Sequence, residues 1–104
     1  LNDHDGAVDD FSMAIRYNRK FADAYNSRGL ARNALKDYTG AVDDFTRAIE
    51  ISPMYSAAYY NRGIVRINND QEESGCIDLS KAAELGNFQA QDFIRKFCAC
   101  YLMN

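Results

Sequence analysis

The sequence has no tryptophan, one proline and one histidine. A lone proline leaves long stretches free to run as helix. With a single histidine, His4, no Ser–His or Cys–His pair can be assembled with conviction, and His4 itself reads as a solvated turn residue. No glycine-rich phosphate loop is present. There is no surplus of basic charge: 12 Lys and Arg face 15 Asp and Glu, for a net charge of −3. The basic residues are dispersed, which argues against nucleic acid and anionic lipid as partners. No apolar run approaches the roughly 20 residues needed to span a bilayer. Cysteine is scarce and odd in number at three, so a closed disulfide framework would need a partner chain. Cys76 reads as a small buried thiol. Cys98 and Cys100 stand two apart, so on a helix they point in different directions and cannot easily chelate one ion. With no histidine nearby, neither a metal nor any other cofactor is expected. These cysteines suit a reducing, cytoplasmic compartment.

What the chain does have is a repeated phrase. Gly40-Ala41-Val42-Asp43-Asp44-Phe45-Thr46-Arg47-Ala48-Ile49-Glu50-Ile51-Ser52-Pro53 echoes Gly6-Ala7-Val8-Asp9-Asp10-Phe11-Ser12-Met13-Ala14-Ile15, 34 residues earlier. A weaker copy runs from Ser74 through Cys76, Leu79 and Ala82 to Leu85, one period later. Over 24 aligned positions, Gly6–Gly29 and Gly40–Gly63 are identical at 12. A fixed period of this length marks a repeat array.

Apolar residues at three- and four-residue spacing predict six helices: Gly6–Tyr17, Phe21–Leu35, Tyr38–Ile51, Ala57–Asn68, Glu72–Leu85 and Phe88 to about Leu102. Leu1–Asp5 reads as a turn. Pro53 stops the third helix, and Gly86-Asn87 suits a left-handed end to the fifth. Phe93, Ile94, Phe97 and Tyr101 form the expected buried stripe of the sixth. Gly29 and Gly63 sit mid-helix, where glycine costs about 1 kcal/mol relative to alanine. Their recurrence one period apart predicts close approach of another helix. No stretch alternates long enough for a strand.

This pattern resembles the tetratricopeptide repeat, a 34-residue helix–turn–helix unit. Tyr25, Gly29, Tyr38, Ala41, Phe45, Ala48 and Pro53 carry the likeness in the complete copy. Tyr59, Gly63, Leu79 and Ala82 carry it in the next, and Ala7, Phe11 and Ala14 in the first, partial one. The third copy's ending, Lys81 to Asn87, also looks like short helical repeats of bacterial scaffold proteins. The resemblance implies an all-α fold, an α-α superhelix of antiparallel helix pairs. It would span residues 1–104 as one array: 1–21 the second half of a repeat, 22–55 and 56–87 complete repeats, and 88–104 a capping helix. On this register the chain is expected to be a fragment of a longer, bacterial-type protein. The helix Gly6–Tyr17, lacking its partner, should then expose Val8, Phe11 and Ile15 as an oligomer contact.

The paired carboxylates Asp9-Asp10 and Asp43-Asp44 recur with the repeat, and neighbours on a helix diverge by about 100°, so a structural role is expected rather than acid–base catalysis. Asp10 and Arg28, Asp44 and Arg62, and Asp78 and Lys96 are each 18 apart, which suggests ion pairs linking one unit to the next. By resemblance, ligand-facing positions lie on the first helix of each unit: Asn26, Leu30 and Asn33, then Tyr60, Asn61, Ile64, Ile67 and Asn68, with Gln91, Ile94 and Arg95 extending the groove. Asparagine amides can pair with both donors and acceptors of a peptide backbone. One variant of the family binds acidic chaperone tails through lysines, arginines and asparagines; only Asn61 and Arg95 match, so that mode is not expected. The function expected is a non-enzymatic scaffold that binds a peptide or partner helix in a concave groove. The alternatives are a structural array that oligomerises through its first helix, and an accessory domain of an enzyme lying elsewhere.

Overall fold

The computed structural model describes residues 3–98. Among them are six helices and no strand: α1 (His4–Tyr17), α2 (Ala22–Ala34), α3 (Tyr38–Ile51), α4 (Ser56–Asn68), α5 (Glu72–Glu84) and α6 (Phe88–Phe97). The fold is an all-α helical repeat. Two compact units divide the chain, with described residues up to Pro53 in the first and those from Met54 in the second.

The helix ends follow from local chemistry. Asp3 accepts a hydrogen bond from the Gly6 amide at 2.8 Å, Asp37 one from Gly40 at 3.0 Å, and Asn87 one from Ala90 at 2.9 Å. Each satisfies an amide that the first turn leaves free. The Asp3 cap is also why the first helix begins at His4 and not at Gly6, so His4 lies in the first turn of α1 and is half-buried, where a solvated turn was expected. The three tight turns within units share one geometry. Lys36, Asp70 and Gly86 have positive φ of 66°, 64° and 98°. After each, the next amide reaches back across the helix end: Asp37 to Arg32 at 2.8 Å, Gln71 to Arg66 at 2.8 Å, and Asn87 to Ala82 at 3.0 Å. This is the Schellman closure of a helix C-terminus.

In the first unit α2 packs on α1 and on α3. Ala24, Ala31, Ala41, Phe45 and Ala48 are buried. The Phe45 ring lies on Gly29, since a Cβ there would come within 2.6 Å of its Cε1. In the second unit α5 packs on α4 and α6, around a core of Cys76, Leu79, Ala82, Ala90 and Cys98. Here the close approach is backbone to backbone. A Cβ on Gly75 would lie 2.7 Å from the Gly63 carbonyl oxygen and 3.0 Å from the Ile67 amide nitrogen. Backbone atoms cannot rotate away as a side chain can. Gly75→Ala should therefore destabilise the second unit by about 2 kcal/mol through overpacking, although alanine is the better helix former by about 1 kcal/mol. Urea unfolding followed by circular dichroism measures this; an unchanged midpoint would mean that α4 and α5 can part without loss.

The second unit differs from expectation in two respects. Phe97, expected in the buried stripe of α6, is 61% exposed, and only Ala90 is buried within that helix. The reason is angular: Ala90, Ile94 and Cys98 form the row that faces the core, and Phe97 lies off it. Tyr101 and the end of the expected helix fall outside the described residues. The second difference is covalent. Cys76 is not a free thiol but is joined to Cys98 by a disulfide, with Cα atoms 5.7 Å apart. An odd count rules out full pairing, not the pairing of two, and the packing of α6 on α5 brings these two together. The ground for a reducing, cytoplasmic compartment falls with the free thiol.

Candidate interaction surface

The first helices α2 and α4 each carry an arginine one turn before another, Arg28 and Arg32, then Arg62 and Arg66. In each unit both guanidiniums converge on one buried carboxylate. Arg28 donates to Asp44 from Nε at 3.0 Å and from Nη2 at 2.7 Å, and Arg32 adds Nη1 at 3.0 Å. Arg62 and Arg66 repeat this on Asp78 at 2.9, 2.7 and 2.8 Å. Asp44 is 2% exposed and Asp78 4%. Arg28 also donates to the Ser12 hydroxyl at 3.1 Å. Its guanidinium is held charged above the usual arginine range, mainly by the hydrogen bond to Asp44.

These pairs correct the expected ones. Asp44 pairs with Arg28 and Asp78 with Arg62, 16 positions back and inside the same helix pair, rather than 18 positions on. Antiparallel neighbours joined by a short turn bring such positions level. Lys96 pairs with Asp92 on its own helix at 3.4 Å. The repeated Asp-Asp therefore splits: Asp43 is exposed and Asp44 is the buried anchor. Tyr25 completes the first cluster, lying under Arg28 and Arg47 at 5.5 and 6.0 Å from the ring centre.

With the arginines turned toward the second helix of each pair, the outer strips of α2 and α4 carry the expected ligand positions. On α2, Leu30 is 47% exposed, Asn33 is half-buried and Asn26 is buried at 7%. On α4, Tyr60, Ile64 and Ile67 are half-buried and rest on the core of the second unit. Asn61 is half-buried and Asn68 exposed. On α6, Gln91 and Arg95 are exposed and Ile94 packs on that core. Arg95 donates to Asp92 at 3.1 Å and, with Lys96, holds that carboxyl below the usual range. Val8, Phe11 and Ile15 are half-buried on α1, a helix with no fully buried residue, and Met13 and Tyr17 beside them are 55% and 89% exposed.

Sequence reasoning missed the doubled arginine clusters and the disulfide. The i, i+4 arginine spacing, recurring at 34 residues, was the available signal for the clusters. Among the described residues no three His, Cys, Asp or Glu could hold a metal, and no helix is long and apolar enough to cross a membrane.

The tetratricopeptide repeat family profile matches residues 22–55, the stretch that holds α2, its turn and α3. Within this chain, residues 22–55 are a tetratricopeptide repeat. Solved tetratricopeptide domains superpose on nearly all of it. The first such domain of Spaghetti (RPAP3), solved bound to the HSP90 peptide SRMEEVD, matches with a TM-score of 0.86 at 25% identity, over 93% of this chain and 79% of that one. The Arabidopsis OM64 domain matches with a TM-score of 0.86 at 26% identity, over 90% of this chain and 79% of its own. MamA shares the fold at 24% identity and a TM-score of 0.79, over 86% of this chain and 53% of MamA. No curated protein matches the sequence.

Proposed function

We propose that this tetratricopeptide chain is a non-enzymatic protein–protein interaction scaffold, and that its first helices take a peptide or a partner helix. The observation that carries this reading is the row Tyr60, Ile64 and Ile67. It lies at i, i+4 and i+7 along α4 and is neither solvent-flooded nor buried. Such a row offers anchoring for apolar side chains of a partner. Asn61 and Asn68 supply amides for its backbone, and Leu30 and Asn33 offer a similar strip on α2. Asn26, at 7% exposure, contributes packing more than contact. The peptide-bound Spaghetti domain supports the class of function. The doubled guanidiniums do not imply an acidic ligand here, because Asp44 and Asp78 already occupy them.

A photo-cross-linking amino acid placed at Asn68 or Leu30 should capture a protein partner in the native host, and one at Glu50 on α3 should not. Tyr60→Ala should then weaken that complex by about 1–2 kcal/mol, as a central aromatic contact does. Equal capture from all three positions would remove the reading. A second reading rests on α1: with Met13 and Tyr17 exposed beside Val8, Phe11 and Ile15, it offers a face for self-association. Sedimentation distinguishes this, since a concentration-independent monomer speaks against it.

A further inference from the structure

We propose that Cys76–Cys98 is a redox clasp: a dithiol reductant opens it, and opening releases α6 from the second unit. Three observations lead there. First, the cross-link sits where α6 has little else to hold it. Within the helix only Ala90 is buried, Phe93 and Ile94 are half-buried, and Phe88 and Phe97 are 80% and 61% exposed. Second, the bond lies at the far end of that helix. The chain tethers α6 through the turn at Gly86, and Cys98, the residue that closes α6, is tied to α5. Cutting the bond leaves a helix of 10 residues anchored at one end, and short helices are marginal on their own. Third, the clasp is peculiar to this helix pair. One and two periods back, Cys76 corresponds to Val42 and Val8, and Cys98 to Ile64 and Leu30. No cysteine stands at those positions.

The exchange balances with a named reductant class. One thiolate of the dithiol attacks a sulfur of the clasp and forms a mixed disulfide. The other clasp sulfur leaves as thiolate and takes up a proton. The second thiol of the reductant then closes its own disulfide and frees the remaining cysteine. Two electrons and two protons pass to the protein, and Cys76 and Cys98 become thiols. Access imposes a condition. Cys76 is 1% exposed and Cys98 0%, so the reductant reaches sulfur only when α6 lifts. Lifting of α6 and reduction therefore favour one another.

The experiment is amide hydrogen exchange on the whole chain, oxidised and then fully reduced with dithiothreitol, read by mass spectrometry. Cys100→Ser is used throughout, so that no third thiol can exchange. Under reduction, peptides from 88–97 should exchange about tenfold faster or more, as for a segment that opens on its own, while those from α4 and α5 keep their rates. Ile94→Ala, which loosens α6 without touching sulfur, should speed reduction of the oxidised chain severalfold. Unchanged exchange in α6 after complete reduction overturns the proposal. So does equal loss of protection across α4, α5 and α6, which would make the bond a general staple. A reduction rate indifferent to Ile94→Ala refutes the access condition.

Discussion

Phe45→Ala should be the most damaging single change in the first unit, lowering its stability by about 4 kcal/mol. The ring is fully buried and sits in the space that Gly29 leaves open. Truncation removes the transfer energy of the ring and leaves a cavity that two alanine-rich helices cannot close by repacking. The loss is comparable to the whole stability of a small domain, which is about 5–15 kcal/mol. Thermal unfolding by circular dichroism should therefore show α1–α3 melting well ahead of α4–α6. A double mutant sharpens the test. Gly29→Ala alone places a methyl 2.6 Å from the ring and should destabilise; in the Phe45→Ala background it finds space and should not. A cycle showing simple additivity would mean that the ring does not fill the glycine's hollow.

Asp44→Ala should cost about 3 kcal/mol, because it strands two guanidiniums in a place built for their counter-charge. Arg28 and Arg32 have side chains only 16% and 27% exposed, against 3% for that of Asp44. The asymmetry gives the test its direction. Arg32→Ala leaves Asp44 with its two bonds from Arg28 and should cost about 1 kcal/mol or less. Arg28→Ala removes the bidentate partner and the packing of a long stem against Tyr25, and should fall between the two. Urea midpoints for the three variants should rank in that order; a harmless Asp44→Ala would show that the cluster adds nothing to folding. The same ranking is expected for Asp78, Arg62 and Arg66.

Much of this molecule was legible because a period is a strong signal. One copy of the phrase constrains little, but three copies in register fix which alanines, glycines and aromatics must face the packing, and five of six helix bodies were placed within two residues. The ion-pair and cysteine errors share a cause: each concerns which of several possible neighbours a side chain meets. Asp44 could look back to Arg28 or on to Arg62, and a period of 34 treats both separations alike. Only the antiparallel geometry of a tight turn decides. Counting cysteines likewise gave parity and not proximity. The start of α1 was missed because Asp3 acts through a cap, outside the hydrophobic pattern. On the ligand strip, exposure was the missing quantity: Asn26 and Leu30 are one turn apart, yet one is buried and the other open.

The two arginine clusters are near copies, with bond lengths agreeing to within 0.2 Å. As a pairing code they are therefore ambiguous: Arg28 would satisfy Asp78 as well as it satisfies Asp44. What makes the match correct is the chain itself. A connection of three residues, Leu35 to Asp37, keeps α3 beside α2 at an effective concentration that no distant or foreign helix matches. Lengthening that connection would leave the bonds of the arginine cluster available and weaken the preference for the right partner. At high protein concentration, chains altered in this way should exchange helices with one another, and a turn of three residues would prove to be what keeps the repeats from trading places.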